Sequence, residues 1–470
     1  MKPASLRRVL LCLLLSAAPA VIHAAAPPDD WSAIDVILKR IVPPVFPAHN
    51  FPITDFGAVG DGKTDCHAAI AKAIEACTQA GGGHVVVPAG LFFCDGPVHL
   101  KSNVDLHLSS GATLGFGADP AHYLPAVLTR YEGTLLYGHS PRIYAYRATN
   151  VAVTGRGIID GNARETFALL KASKEKGSPA ELRKMGTEGV PVDQRLFGGG
   201  RWLRPSLLQP FDCLNVLIEG VTLRDSTFWC VHPVFCRNVT VRGITVDSMN
   251  ANNDGCDPDS CADVLIEDCD FHTGDDSIAI KSGRDEDGWK AARPSENIVI
   301  RHCTMRSRWS ALCIGSEMSG GVRNVFMEDC RLAGVASAFY FKGNLDRGGV
   351  VEHVRARRIT ADAVREAFVR FETSYHGYRG GNYPPAFHDF VLEDLTCSQG
   401  GAYGIYLEGV AAAPIRDVTV RHAIIGTAKA SLWLRRVENI HFENVKINGT
   451  TLPDNPPPTP DEEKKLHIST

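Results

Sequence analysis

Short runs of alternating apolar and polar residues recur along most of the chain, and each run begins with asparagine or aspartate. Asn215 opens the run NVLIEG, Asn238 opens NVTVRG and Asn324 opens NVFMED. From Asn215 to Asn324 the successive runs start 23, 25, 34 and 27 residues apart. The runs begin at Asn103, Asn150, Asn215, Asn238, Asp263, Asn297, Asn324, Asp389, Asp417 and Asn439, and more loosely around His353. Such alternation is the pattern of a short, half-buried β-strand.

Self-similarity at this spacing is typical of stacked repeat architectures, in which each repeat packs against its neighbours. The segments between the runs carry no helical pattern, which excludes alternating β–α–β units, and the consensus of leucine-rich repeats is absent. The predicted fold is therefore all-β, a parallel β-helix of about ten coils. We expect its asparagine and aspartate side chains to stack in ladders at the turns.

One amphipathic helix is predicted close to the start of the repeats, over residues 68–77 (AAIAKAIEAC). The open end of a stack of sheets exposes unpaired strand edges. We expect this helix to cap that end.

A single catalytic domain is predicted over residues 27–452, with one interruption of the repeat at 164–200. The insertion is charged, and residues 178–181 (SPAE) resemble the capping box that starts a helix. An excursion of that length usually shapes the wall of a cleft. Residues 453–470 are rich in proline and charge, and we expect a disordered tail there.

Residues 1–26 have the features of a secretory signal. Three basic residues precede the apolar run Val9–Leu15, and Ala24–Ala26 offers a small-residue cleavage site. No other run is long and apolar enough to span a bilayer. We therefore expect a secreted or periplasmic protein. Loss of the three basic residues takes the formal net charge from −4 to −7, which argues against a nucleic-acid partner.

The cysteines leave two alternatives open. There are 14, and Cys12 lies in the predicted signal, so 13 remain and at least one is unpaired. Export permits disulfides, and Cys256 with Cys261 is a candidate local bridge. Several cysteines stand in the alternating runs, where a buried free thiol packing as a small apolar side chain is equally plausible. No CxxC pair indicates a zinc site.

Three aspartates bunch together away from the ladder positions. Asp254 is followed after 21 residues by the pair Asp275 and Asp276. If the strand between them makes one coil, the chain returns to the same angular position one rung higher, about 4.8 Å away. Like charges that close raise the pKa of at least one carboxyl group, so one is protonated while another is ionised. That pairing suits acid/base cleavage of a glycosidic bond. The alternative is that each aspartate is a structural cap of a turn.

A set of short motifs extends over nearly the whole chain after residue 26. They are Phe56–Ala58, Gly60–Gly62, Leu100–Val104, Thr129–Gly133, Leu203–Ser206, Trp229, His232–Pro233, Asn252–Gly255, Gly274–Asp276, Lys281–Gly288 and Ile314–Gly321. With these motifs the chain resembles the polygalacturonases of glycoside hydrolase family 28, and among them the exo-acting branch.

This resemblance implies a right-handed parallel β-helix that hydrolyses α-galacturonosyl linkages in pectin with inversion. It implies a monomer that needs no metal ion or other cofactor. Asp275 would be the general acid that protonates the leaving oxygen, and Asp254 and Asp276 would hold and deprotonate the attacking water. The carboxyl groups of an inverting pair are expected about 6.5–9.5 Å apart. The candidate substrate-binding residues are Asn252, Arg284, Trp309, Tyr340, Lys342 and Tyr375.

Two positions depart from the family pattern. Trp309 stands where the third motif, Gly-His-Gly, has its histidine, and Tyr340–Lys342 (YFK) stands where the fourth motif has Arg-Ile-Lys. In polygalacturonases that Arg and Lys hold a galacturonate carboxylate at the leaving-group subsite, and tyrosine cannot replace arginine's bidentate pair. We expect an altered leaving-group subsite, with Trp309 and Tyr340 stacking on a neutral sugar such as rhamnose. The alternative is that both are packing residues.

Three functions remain open from the sequence. The first is hydrolysis of a pectic chain, either homogalacturonan or rhamnogalacturonan. The second is a calcium-dependent pectate lyase, which the pair Asp275 and Asp276 argues against. The third is a carbohydrate-binding β-helix without activity, prompted by the missing histidine. Three bunched carboxylates argue against it, because their repulsion destabilises a protein that does not use them.

Overall fold

The computed structural model describes residues 30–164, 176–460 and 464–468. It is a right-handed parallel β-helix, which confirms the predicted fold. In each coil the chain passes through three parallel sheets, here called sheet 1, sheet 2 and sheet 3. The predicted signal, residues 1–26, lies outside the described part of the chain.

Each sheet is built from strands that recur once per coil. Sheet 1 contains Asn50–Pro52, Gly83–Val87, Val104–Leu108, Thr149–Gly155, Leu214–Glu219, Arg237–Arg242, Ala262–Glu267, Ser295–Arg301, Ala386–Phe387 and Val437–Glu443. Sheet 2 contains Asp61–Asp65, Gly90–Cys94, Ala112–Phe116, Ile158–Asp160, Thr222–Arg224, Thr245–Ser248, Asp270–Thr273, Thr304–Ser307 and Lys446–Ile447. Sheet 3 contains Val98–Leu100, Ile143–Tyr146, Leu208–Phe211, Ile278–Ile280, Ser310–Ile314, Val335–Lys342, Tyr403–Glu408 and Ala430–Arg435.

Some strands bend from one sheet into the next. Val322–Leu332, Phe390–Gln399 and Ile415–Thr427 run from sheet 1 into sheet 2, and Val350–Glu372 runs through all three sheets. Two antiparallel pairs lie outside this pattern: Val127–Tyr131 with Thr134–Gly138, and Lys446–Ile447 with Thr450–Thr451. The α-helices are α1 (Ser32–Leu38), α2 (His67–Gln79), α3 (Ser178–Thr187) and α4 (Asp285–Ala291), and short 3-10 helices span Ile53–Phe56, Pro120–Tyr123 and Val192–Gln194.

The turn into sheet 1 explains why the repeat begins with asparagine or aspartate. Every predicted run start, from Asn103 to Asn439, has a φ between 52° and 63°. Asparagine and aspartate adopt this left-handed conformation more readily than other residues with a β-carbon. The side chains also bond from coil to coil: Asn150 donates to Asn103 at 2.9 Å, and Asn215 donates to Asn150 at 2.8 Å. The predicted ladder is thus confirmed.

The interior of the coil is one continuous apolar core, and α2 covers its first end. Helix α2 buries Ile70, Ile74 and Cys77 against the first strands, including Gly83–Val87. Its bounds, residues 67–79, extend the predicted 68–77 slightly at both ends. The helix shields strand edges that would otherwise be open, as the sequence predicts.

The insertion and the tail differ in part from the prediction. Helix α3 begins at Ser178, but its N-cap is Gly177 and no side chain caps it, so the predicted capping box is wrong. The tail has no regular structure, yet it is not detached. Thr459 exchanges two hydrogen bonds of 2.8 Å with Leu434, and Ile468 is buried beside Trp433. The sequence predicts a disordered tail at residues 453–470, but within the described residues of that range Thr459 and Ile468 instead contact sheet 3.

All 13 cysteines of the described residues are buried free thiols. The Cys256–Cys261 bridge is therefore absent, because both side chains belong to the apolar core of the coil. The Cys261 thiol donates to the carbonyl of Pro233 at 3.2 Å. Among the described residues no helix has the length and apolarity needed to cross a membrane.

Candidate active site

A cavity of about 240 Å³ opens on the outer face of sheet 3. Its wall contains Glu132, Phe228, Trp229, Asn252, Asp254, Asp275, Asp276, Lys281, Arg284, Gly315, Ser316, Glu317, Lys342, Tyr375 and His376. Most of these residues lie where the chain enters or leaves sheet 3. Residues from successive coils therefore lie side by side around one cavity.

The strand register brings the three predicted carboxylates together. Cys256 pairs with Ile278 in sheet 3, and the Gly255 N–H donates to the carbonyl of Asp276 at 3.0 Å. Asp254 therefore lies beside Asp276, one coil below it. Carboxylate oxygens of Asp254, Asp275 and Asp276 all lie within 4.8 Å of one another.

The three carboxyl groups meet at their nearest oxygens, with one oxygen from each residue within 4.8 Å of the others. Two of the groups belong to consecutive residues and the third to the neighbouring coil, one strand spacing of about 4.8 Å away. The separation of about 6.5–9.5 Å expected from the resemblance refers to whole carboxyl groups and stays a prediction.

Asp275 is the carboxyl group that holds a proton most strongly. Burial raises its pKa well above the usual value, and the charges of Asp254 and Asp276 raise it further. Its Oδ1 accepts the N–H of Asp276 at 3.0 Å, while the nearest cations are bound to the other two carboxylates. A protonated carboxyl group facing the cavity can donate a proton to a substrate oxygen.

Asp276 has the opposite surroundings. Its Oδ1 accepts the Ser310 N–H at 2.8 Å, and its Oδ2 lies 3.4 Å from Lys342 Nζ. Burial raises its pKa, but Lys342, Lys281 and Ser310 outweigh burial and hold the pKa below the usual value. Asp276 is therefore ionised where Asp275 is protonated.

Asp254 lies between these two cases. Burial raises its pKa to about 6, with Lys281 lowering it and Asp276 raising it. Lys281 Nζ is 3.6 Å away and also lies 4.4 Å over the ring of Trp229, so the cation is largely removed from water. The group can be ionised near neutral pH and can accept a proton from a bound water.

Cations and carboxylates alternate along the rest of the wall. Arg284 donates to Glu132 at 2.6 Å. Glu317 lies 3.5 Å from Lys281 and accepts the Ser316 hydroxyl at 2.9 Å. Burial raises the pKa of Glu317, but Lys281, Arg284 and Arg347 together hold it far below the usual value. The wall can therefore bind an acidic sugar through Arg284 and Lys342.

Seven of the nine residues proposed from the sequence line the cavity. They are Asn252, Asp254, Asp275, Asp276, Arg284, Lys342 and Tyr375. Asn252 has a left-handed backbone, φ 58°, and its side-chain oxygen accepts Arg204 at 2.9 Å. Trp309 and Tyr340 are not among the lining residues.

The predicted stacking of Tyr340 on a sugar is wrong. The ring is only 2% exposed because Arg370, on the next coil, lies 4.1 Å over its face. The Tyr340 hydroxyl donates to Glu372 at 2.9 Å. Tyr340 is thus a packing residue behind Lys342, the alternative that the sequence had left open.

Trp309 is half-buried outside the cavity, so its predicted stacking on a sugar is not supported either. Its neighbour Ser310 is the residue that contacts a catalytic candidate, through the backbone bond to Asp276.

Several cavity residues were not proposed from the sequence. They include Glu132, Phe228, Trp229, Lys281, Ser316, Glu317 and His376. Lys281 and Glu317 lie within two of the motifs that carry the resemblance, which was a usable signal. Glu132 lies within a third such motif, Thr129–Gly133, whereas His376 reaches the cavity only through the tertiary structure, because it belongs to a segment far away in the chain.

Two arginines tie the insertion to segments beside the cavity. Arg183 of α3 donates to Asp285 at 2.9 Å, to Asp346 at 3.1 Å and to the carbonyl of Gly377 at 2.7 Å. Arg379 also donates to Asp285, at 2.9 Å. Helix α3, α4 and the loop that carries Tyr375 and His376 are thereby bound into one wall, although no described residue of 164–200 lines the cavity itself.

The chain is similar to known glycoside hydrolases. Residues 200–439 match the family described as Glycosyl hydrolases family 28, and residues 51–112 match Rhamnogalacturonase A/epimerase, pectate lyase-like. A probable polygalacturonase of Vitis vinifera is 31% identical over 437 residues, 87% of this chain and 82% of that protein. An exo-poly-alpha-D-galacturonosidase of Dickeya chrysanthemi is 26% identical, over 85% of this chain and 67% of that protein. The crystal structure of a hyperthermoactive exopolygalacturonase from Thermotoga maritima is 40% identical with a TM-score of 0.87, over 90% of this chain and 97% of that one.

Proposed function

The chain belongs to glycosyl hydrolases family 28, and from that premise we propose that this glycoside hydrolase cleaves α-galacturonosyl linkages in pectin from a chain end. We further propose that residues 1–26 direct it to the periplasm or the medium, where its pectic substrate occurs. Residues 27–452 would then form one catalytic domain that works as a monomer.

The proposal rests on one observation: two neighbouring carboxyl groups of the same cluster have pKa values shifted in opposite directions. Asp275 retains a proton, whereas Asp276 is held ionised by Lys342 and the Ser310 N–H. An acid and a base are thereby available within one cavity at the same pH, which is the requirement for glycosidic cleavage.

The proposed reaction uses these groups in one step. Asp275 gives its proton to the glycosidic oxygen as the bond to the anomeric carbon breaks. Asp254 and Asp276 hold a water, which attacks that carbon and loses a proton to one of them. The products are two free sugar chain ends, and the cluster ends with its proton moved from Asp275 to the base.

Cleavage from a chain end is supported by the wall around Asp285. Arg183 and Arg379 both donate to this carboxylate, so the wall is held by several charge-assisted bonds. We propose that this wall blocks the path of a polysaccharide chain, so that an end residue occupies that side of the cavity.

The leaving-group subsite is the part of the proposal that departs from the family pattern. Lys342 lines the cavity, but the arginine of the next coil, Arg370, is buried behind Tyr340. A lysine alone holds a carboxylate less specifically than an arginine fork. This favours a second candidate, in which a neutral or decorated sugar such as the rhamnose of rhamnogalacturonan occupies this subsite.

Product analysis on defined oligosaccharides tests these proposals. The protein is incubated with oligogalacturonates and with rhamnogalacturonan oligosaccharides, and products are separated by anion-exchange chromatography. Release of monogalacturonate alone from oligogalacturonates supports end cleavage and contradicts the altered subsite. Faster cleavage of rhamnogalacturonan supports the altered subsite, and ultraviolet-absorbing unsaturated products contradict hydrolysis.

The stereochemical course is a separate measurement. Proton NMR during the first minutes of cleavage shows which anomer forms first. Inversion at an α-linkage gives the β-anomer first, as proposed. First appearance of the α-anomer contradicts inversion.

A further inference from the structure

Asp257 is a buried carboxyl group immediately behind the cavity that the proposed reaction does not use. It lies three residues after Asp254 on the same segment of sheet 3 and is 0% exposed. No donor among the described residues makes a hydrogen bond to either of its oxygens. Its nearest cation is Lys281, whose Nζ is 3.7 Å from Oδ1.

The charges around Lys281 do not balance if every carboxyl group is ionised. One ammonium group lies near three carboxyl groups: Asp254 at 3.6 Å, Asp257 at 3.7 Å and Glu317 at 3.5 Å. Glu317 is also stabilised by Arg284 and Arg347. Asp254 also feels the charge of Lys342, whereas Asp257 has Lys281 as its cation, and an unpaired buried carboxylate is strongly unfavourable.

The other groups that face Asp257 supply no second cation. Asp276 adds negative charge, and the buried thiols of Cys230 and Cys256 are neutral because burial raises the pKa of each. His232, on the preceding coil, has its pKa lowered by burial. The guanidinium of Arg130 is taken by Asp259 at 2.9 Å.

The neighbouring carboxyl groups of Asp257 and Asp254 require one proton between them. The carboxyl group of Asp257 and that of Asp254 lie 3.7 Å and 3.6 Å from the same Lys281 Nζ. Burial raises the pKa of both groups, and a hydrogen bond between the two side chains lowers the pKa of Asp254 and raises that of Asp257. Two carboxylates cannot bond to each other unless one of them carries a proton. The more deeply buried of the two is the better place for it.

We propose that Asp257 is a positioning residue that stays protonated and donates a hydrogen bond to Asp254, fixing Asp254 as an ionised base for the attacking water. The proposal rests on the proposed function, because it assumes that Asp254 is a base. It gives Asp254 the donor that its own buried oxygen otherwise lacks.

The pH dependence of kcat/KM distinguishes a protonated Asp257 from an ionised one. The fall of kcat/KM at low pH, here called the acid limb, reports the pKa of Asp254, because Asp254 must be ionised for activity. In D257A the donated bond is lost, so we expect the acid limb to move to higher pH by about one unit. In D257N the amide still donates, so the limb should stay near its original position. A shift to lower pH in either variant overturns the proposal, because it shows that a negative charge was removed.

Infrared difference spectroscopy tests the proton without relying on activity. The spectrum of the wild type minus D257N at pH 7 should contain the carbonyl band of a protonated carboxylic acid. D259N is the matched control, because Asp259 is equally buried but paired with Arg130, and its difference spectrum should show a carboxylate band instead. A carboxylate band for Asp257 contradicts the proposal even if the protein cleaves no pectic substrate, and a carboxylic acid band supports it.

Discussion

Asp275 and Asp276 are consecutive in the chain and yet have opposite electrostatic surroundings. Only Asp276 receives the Ser310 N–H and lies within 3.4 Å of Lys342. Burial is common to both, so the difference in their pKa values comes from the direction in which each side chain points. Neighbouring residues at the entry to a strand point to different sides, and this assigns acid and base roles within one dipeptide.

Removal of the proposed acid should abolish most activity. In D275N the group that protonates the leaving oxygen is gone, so we expect kcat to fall by at least about 100-fold. Reducing-end release from the preferred oligosaccharide measures it. D247N is the control, because Asp247 is an exposed aspartate of sheet 2 that pairs with His272. Unchanged turnover in D275N would remove the acid assignment.

The pH–rate profile should be bell-shaped, because one catalytic carboxyl group must be ionised and another must be protonated. Asp254 must be ionised, so kcat/KM should fall as the pH drops through about 6, the pKa of Asp254. Asp275 must be protonated, so activity should fall again as the pH rises through its elevated pKa. Initial rates over a range of buffers at constant ionic strength give both limbs. Full activity well below pH 5 would contradict the role of Asp254.

The turn ladder is the element that holds the coils in register. Asn297 has φ 57°, donates to Asp263 at 3.1 Å and accepts from Asn324 at 3.0 Å. Each bond is individually modest, but the ladder repeats along sheet 1, so it favours one stacking register over others.

Substitution at Asn297 should separate its two contributions. N297A loses the bonds and places alanine in a left-handed conformation, so we expect about 2–3 kcal/mol lower stability. N297G loses only the bonds and should lose about half of that. Equilibrium urea unfolding followed by circular dichroism measures both. Equal stability of the two variants would show that backbone conformation plays no part.

At the scale of the whole molecule, the wall beside the cavity is held together by bonds between distant segments. Arg183 joins the insertion to Asp285, Asp346 and Gly377. These partners come from α4 and from two later loops, so no local sequence pattern predicts the bonds.

Loosening this wall should change the product pattern. In R183A the three bonds are lost, and we expect longer oligosaccharides among the first products, together with faster proteolysis of the insertion. K184A is the matched control, since Lys184 is the next residue of α3 and its side chain is 72% exposed. A product pattern in R183A identical to that of K184A would contradict closure by this wall.

The free thiols predict that a reducing agent does not lower the thermal stability of the protein. A native disulfide typically contributes about 2–5 kcal/mol, so its reduction lowers the melting temperature. Because all described cysteines are buried free thiols, we expect dithiothreitol to leave the thermal midpoint unchanged. Differential scanning fluorimetry with and without the reductant tests this. A lower midpoint in dithiothreitol would reveal a bridge.

The sequence by itself determined the coil, its turn ladder, its cap and the three carboxylates. Each of these depends on local periodicity or on a residue's own conformational preference, as at Asn297. Only the tertiary structure decided the burial of Tyr340, the absence of a Cys256–Cys261 bridge and the arrival of His376 at the cavity. These outcomes depend on which side chains from neighbouring coils and distant loops share a space, and one strand's pattern of apolar and polar residues does not contain that information.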